Sequence, residues 1–423
     1  MRIQLGSDTP PLEVEERELI GVFQPPKVQA AADQGAMVRQ ALASPIGSER
    51  LADLARGKKR IVILCDDNTR STRVDLLLPE VLKELALGGA KEEQITILLA
   101  LGTHRAMTQS EIDERLGREV ARRLRVVNHD WKNRSALADL GRTEHDTPIE
   151  VNRLALEADL LIGLGHVVPH RVAGYSAGGK IVQPGISGEA TTGCTHWLSA
   201  QYSLFDMLGR CENPVRAEID AVAERVGLAF IVNTIQDAQG HLLGVFAGHP
   251  VRAHRAAARL AETVSTATAP ALADIVVAHA WPADLDMWQA VKALFTAAQA
   301  VKRGGVIVLV AACREGVAYQ HPEVLRFGYR PVAEVRALQA AGQIADLSAA
   351  AHLAHGGEVV AEWARCVLVS EGIGEADARR LGFSWAASVQ DGFAVARRLA
   401  DRSSPTVVIL KNASEMMIRI GGA

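Results

Sequence analysis

Short unbroken apolar runs alternate with amphipathic stretches along most of this sequence. "KRIVILCDD" (59–67) ends in two aspartates, and "RVDLLLPEVLKELALGG" (73–89) has helical periodicity with a stop at Gly88 and Gly89. "QITILLALGTH" (94–104) predicts a second buried strand, and "TQSE" (108–111) is a capping-box signature for the following helix. "LRVVNHD" (124–130) and "DLLIGLGH" (159–166) predict two further strands. Strands that are apolar throughout are buried on both faces. Such strands, separated by helices, define an α/β fold with mainly parallel sheets.

A second series follows: "DIVVAHA" (274–280), "GGVIVLVAAC" (304–313), "RCVLVS" (365–370) and "PTVVIL" (405–410) predict strands, and "MWQAVKALFTAAQAVKRG" (287–304) predicts a helix. A chain of 423 residues exceeds one ordinary core. The expectation is two α/β domains, 1–265 and 266–423, with the boundary inside 250–273, where "TVSTATAPALA" breaks the pattern. The first fifty residues carry no readable pattern.

Ligands of parallel sheets sit at the carboxyl ends of the strands. Here those ends read DDNTR, GTHR, NHD and GHVVPH. Packing alone does not load consecutive strand ends with Asp, His and Arg. Composition removes several function classes. A net charge of -3 and 4% aromatic residues offer neither a basic field nor a stacking surface for nucleic acid. Five scattered cysteines without CxxC spacing argue against a disulfide framework or a zinc ribbon. No run reaches about 18 apolar residues, and the N-terminal stretch is acidic where a signal peptide is apolar, so a cytoplasmic protein without a membrane span is expected.

"HRVAGYSAGGKIVQPGI" (170–186) approaches a phosphate-binding P-loop, with Gly174, Gly179 and Lys180 at the right spacing. Ile181 stands where Ser or Thr would bind magnesium, and the strand ends well before the first glycine, which argues against a nucleotide-hydrolysing P-loop. The glycines at 174, 178 and 179 are read as letting backbone pass close to a bulky ligand, with Lys180 facing it. His104, His166, His170 and His196, with Cys194, add proton-shuttling or metal-binding groups. In the second half, "WQAVK" puts Gln289 and Lys292 on one helix face, suited to a carboxylate or hydroxyl substrate.

Together the ordered motifs DDNTR (66–70), GTHR (102–105), PHRVAGYSAGGK (169–180), PGI (184–186), the histidine of TTGCTHW and WQAVK (288–292) resemble the nickel-dependent lactate racemase family. The resemblance implies racemisation or epimerisation of a 2-hydroxy acid by hydride transfer, through a 2-oxo acid, in a cleft between two domains. It implies a nickel-pincer nucleotide covalently held by Lys180, with His196 as the nickel ligand and Asp67, Gly178 and Gly179 beside the cofactor. His104 and His170 fall on the acid/base pair; Arg70, Trp288, Gln289 and Lys292 fall on substrate-binding positions. Cofactor-maturation proteins are implied as partners. The chain departs from the family at Ser71, where proline is usual, at Gly179, where arginine commonly precedes the lysine, and at Trp288, where lactate enzymes carry tyrosine. These changes bear on the substrate: lactate, or a larger or more polar relative. Two other readings stand beside this one. A nicotinamide-dependent 2-hydroxy acid dehydrogenase would need a GxGxxG fingerprint, which is absent. A degenerate nucleotide- or sugar-acid-binding protein would be expected to lose some of Arg70, His104, His170, Lys180 and His196, and all five are kept.

Overall fold

The computed structural model describes residues 1–6, 9–26, 28 and 32–421. Its main strands are β1 (Leu19–Phe23), β2 (Ile61–Asp66), β3 (Ile95–Ala100), β4 (Arg125–Asn128), β5 (Leu160–His166), β6 (Leu228–Gln236) and β7 (Leu242–Gly248). They continue with β8 (Ala273–His279), β9 (Val301–Val310), β10 (Arg365–Val369), β11 (Ser384–Ala386) and β12 (Val407–Leu410). The helices that matter for the site are α1 (Val74–Leu87), α2 (Gln109–Leu116), α3 (Glu189–Ser199), α4 (Pro214–Val226), α5 (Pro250–Ser265), α6 (Met287–Ala300) and α7 (Leu347–Val360).

Two six-stranded sheets result. The first runs β7-β6-β5-β2-β3-β4, parallel except for the antiparallel β6–β7 hairpin. The second runs β11-β10-β9-β8-β12-β1 and is parallel throughout. Helices cover both faces of each sheet, as the unbroken apolar strands require: β2 and β5 are buried along their whole length. Thr108 caps α2 by accepting from the Glu111 N–H, while Glu111 accepts in return from the Thr108 N–H at 2.7 Å.

Three local features differ from the sequence reading. Strand β1, from the illegible first fifty residues, pairs with β12 in the second sheet. The helix expected over 287–304 stops at Ala300, because Val301 already pairs with Ala273 in the ladder and Gly304 turns with a positive φ of 77°. The pattern break at 263–273 is a helix end followed by the strand Thr266–Ala269, which pairs with Met417–Ile420. Among the described residues no helix is long and apolar enough to cross a membrane.

The loop carrying Lys180 packs directly onto β5. A Cβ on Gly163 would stand 2.7 Å from the Ile181 side chain, so glycine is needed in the strand for the loop to lie down. Arg216, fully buried on α4, donates to the carbonyls of Ala173, Tyr175 and Ala177 and holds the loop from behind.

Candidate active site

The carboxyl ends of β2, β3 and β5 converge with the N-terminal half of α6 on a cavity of about 130 Å³. Asp67, Arg70, His104, His170, Lys180, His196, Trp288, Gln289 and Lys292 all line it, drawn from both halves of the chain. Residues more than 200 positions apart meet here because each parallel strand delivers its following loop to the same edge.

Asp67 Oδ2 lies 2.6 Å from His104 Nδ1, and Asp67 Oδ1 accepts from the Thr69 hydroxyl at 2.6 Å. Burial alone would raise the Asp67 carboxyl; His104 and Arg70 outweigh it and hold the group well below the usual carboxylate range. An ionised Asp67 accepts a hydrogen bond from Nδ1–H of His104. The lone pair of that ring is therefore on Nε2, where the Gln289 amide nitrogen stands at 2.9 Å.

His170 has the opposite arrangement. The backbone N–H of Val172 donates to its Nδ1 at 3.1 Å, so the neutral ring carries its proton on Nε2. Burial first, then the cations of Lys180, Lys292 and Arg70, push His170 well below its ordinary pKa. The cavity thus contains one imidazole that presents an acceptor and one that presents a donor.

Two lysines share the site. Burial, followed by Arg70 and Arg216, drives Lys180 well below the ordinary lysine value. Burial and Arg70 likewise bring Lys292 down to about 7. The Lys292 ammonium donates to Gln289 Oε1 at 2.6 Å, and Arg70 Nη1 donates to the same oxygen at 3.2 Å.

His196 on α3 donates from Nδ1 to the Thr192 carbonyl at 2.8 Å, which leaves Nε2 as its unprotonated nitrogen. Burial, then Lys180, lowers it to about 3, so the ring is available as a neutral ligand. Among the described residues, no three His, Cys, Asp or Glu side chains converge as metal ligands.

Several expectations need correction. Gly178 and Gly179 do not line the cavity: their missing Cβ atoms make room for α5 and α4 behind the loop, where a Cβ would stand 2.7 Å from His254 and 3.1 Å from Ala223. The close approach they permit is between protein elements. Cys194 lies on the same helix as His196 but off the cavity wall. His129 of NHD is buried against the Ser187 carbonyl and Asn152, a structural role. His166 does line the cavity and is bonded to the Thr234 carbonyl at 3.0 Å.

The sequence reading also missed residues. Trp288 is sandwiched between His321 and His352, with ring centroids at 4.1 and 4.3 Å and planes within 12°. His321 is held by Asp346 at 2.5 Å and by Thr103 at 3.0 Å; His352 accepts from the Tyr329 hydroxyl at 2.8 Å. His352 and His355, both on the wall, stand three apart on α7, a helical spacing that could have been noticed. His321 and Phe295 gave no comparable signal.

Two parallel-sheet domains closing on a cleft that holds paired imidazoles, two low-pKa lysines and an arginine define an α/β protein with an interdomain site for a small anion. Comparison with known proteins makes the class specific. Residues 5–203 match the lactate racemase N-terminal domain and residues 268–417 the lactate racemase C-terminal domain. The chain belongs to the lactate racemase family. It is 34% identical over 285 residues to a lactate racemase of Thermoanaerobacterium thermosaccharolyticum and 33% identical over 283 residues to one of Lactiplantibacillus plantarum. Each match spans 66% of this chain and 66% of the relative. The structure of the lactate racemase apoprotein from T. thermosaccharolyticum superimposes with a TM-score of 0.86 at 25% identity, covering 99% of both chains. A Thermotoga maritima protein shares the fold, with a TM-score of 0.75 at 20% identity over 92% of this chain and 97% of its own.

Proposed function

We propose that this protein racemises or epimerises a 2-hydroxy acid, lactate or a larger relative, in the cleft between its two α/β domains, the second of which takes in β1 and so departs from the expected division at 265/266. The observation that carries the reading is the pair of unlike imidazoles, His104 and His170, lining one cavity with Arg70 and Lys292. Arg70 and Lys292 would hold the carboxylate. His104 Nε2, oriented by Asp67, would take the hydroxyl proton, and the imidazolium formed would be stabilised by the same carboxylate. His170, kept neutral by burial and its cationic neighbours, would donate a hydrogen bond from Nε2–H to the substrate oxygen. Inversion at C2 needs a planar 2-oxo acid that can be reached from either face.

The residues also fit the nickel-pincer nucleotide implied by the family resemblance. Lys180 supplies a buried amine whose surroundings favour the unprotonated form, the form able to make a covalent link, and His196 would supply a neutral imidazole with Nε2 available for nickel. When bound, this group supplies a reversible hydride acceptor. Arg70 and Lys292 together give positive charge suited to a nucleotide phosphate or a carboxylate. The five cysteines are free thiols, the state a reducing cytoplasm maintains, and we place the protein there alongside the proteins that mature its cofactor.

The test is co-expression with cofactor-maturation proteins, followed by intact mass and nickel analysis. One nickel per chain with a nucleotide-sized adduct on Lys180 is expected. No adduct and no nickel, when maturation works on a control enzyme, would overturn the cofactor assignment.

A further inference from the structure

Gln289 is held as a hydroxy acid would be. Its Oε1 accepts from Lys292 at 2.6 Å and from Arg70 at 3.2 Å, the two cations suited to a carboxylate. Its Nε2 donates to His104 Nε2 at 2.9 Å, where a substrate hydroxyl would donate. The chemistry fixes which way the amide faces: reversed, it would put its NH₂ against two cations and its oxygen against an imidazole lone pair. A carboxamide presents an acceptor end and a donor end a few ångströms apart, as a 2-hydroxy acid does.

The same side chain stands between two cavities. An outer cavity of about 310 Å³ shares Asp67, Thr103, His104, Trp288 and Gln289 with the inner one. The His104–Gln289 bond joins the two halves of the chain across that shared wall.

We infer that Gln289 is a displaceable placeholder. It occupies the substrate's polar contacts in the empty site, and substrate arriving from the outer cavity must break its bonds to His104, Arg70 and Lys292. This rests on the reading of the site as one for 2-hydroxy acids, and it assigns Gln289 a role opposite to a substrate-holding residue. In the empty protein the amide gives His104 Nε2 a donor and the Lys292 ammonium an acceptor, and adds to the bonds that Arg70 makes with Thr69. Substrate then competes with an internal group that has no translational entropy to lose. Trp288, the neighbouring residue, is fixed between two imidazoles, so the displacement falls on the Gln289 side chain and not on the start of α6.

The test is calorimetric binding of glycolate, the smallest 2-hydroxy acid, to the full chain without cofactor. Propionate, which has the carboxylate but no hydroxyl, is the control. A placeholder predicts that Gln289→Ala binds glycolate roughly tenfold more tightly than wild type, with the preference over propionate kept. Gln289→Ser gives the same direction and guards against one poorly folded variant. Weaker glycolate binding in both variants, with normal binding by wild type, would overturn the placeholder and leave the site reading standing. No glycolate binding by wild type or either variant would overturn the site reading and the placeholder with it.

Discussion

His104 Nδ1 and Asp67 Oδ2 are 2.6 Å apart, and this contact decides which nitrogen of the ring is basic. An asparagine at 67 can offer its NH₂ to Nδ1 and so admit the wrong tautomer. Asp67→Asn is expected to lower kcat on the order of 10²–10⁴-fold in cofactor-loaded enzyme, with KM little changed. A variant that turns over normally contradicts the assignment of His104 as the base.

Lys292 gives the site a pH dependence whose sign follows from burial. With its pKa at about 7 it is an ammonium below that pH and an amine above it. A carboxylate ligand favours the ammonium, so glycolate binding weakens as pH rises from 7 to 9, and binding at pH 8 takes up a proton. Calorimetry in two buffers of different ionisation enthalpy reads that proton. Lys292→Met should flatten the dependence; an unchanged slope in that variant assigns it to another group.

Burial, Arg70 and Arg216 push Lys180 well below the ordinary lysine value, which favours its unprotonated amine relative to exposed lysines. In chain without cofactor, a small amine-selective acylating reagent should modify Lys180 ahead of surface lysines at pH 7, as mapped by peptide mass. In matured protein, Lys180→Arg should abolish the covalent adduct. Surface lysines reacting first, or an adduct that survives the substitution, would each contradict the role given to this amine.

The structural support of that lysine can be tested separately. Arg216 bonds three carbonyls of the loop before Lys180, those of Ala173, Tyr175 and Ala177. Arg216→Leu takes the charged donor from all three carbonyls, of which Ala173 and Ala177 keep the backbone N–H groups of Tyr175 and Lys180, and is expected to cost about 3 kcal/mol in urea unfolding. A change within 0.5 kcal/mol would mean that the loop holds its shape without the arginine.

Much of this was legible in sequence because parallel strands are apolar throughout and hand their loops to one edge. Runs such as "KRIVILCDD" and "DLLIGLGH" gave both the strand and its functional end. Strand β1 was not legible: "LIGVF" is short, and its partner β12 lies some 390 residues downstream, where no local pattern points to it. The glycines before Lys180 were read as ligand clearance because a missing Cβ looks the same in sequence whether a cofactor or a helix fills the space. Arg216 was invisible for a related reason. Its hydrogen bonds go to backbone carbonyls, which leave no sequence signal, and its pairing with Asp220 at 3.8 Å is an i,i+4 spacing that looks like any helix-surface pair on α4. The imidazoles flanking Trp288 come from a loop and a helix far from the motif, so nothing near WQAVK announced them.

The central claim is inversion at C2 by hydride transfer. Cofactor-loaded protein should be given single enantiomers of a panel of 2-hydroxy acids, each deuterated at C2, in ordinary water, with products resolved on a chiral column and weighed by mass spectrometry. The account predicts, for at least one acid, the opposite configuration at C2 with deuterium retained. Inversion with deuterium washed out to solvent would contradict hydride transfer, and no inversion of any acid by nickel-loaded protein would contradict the racemase itself.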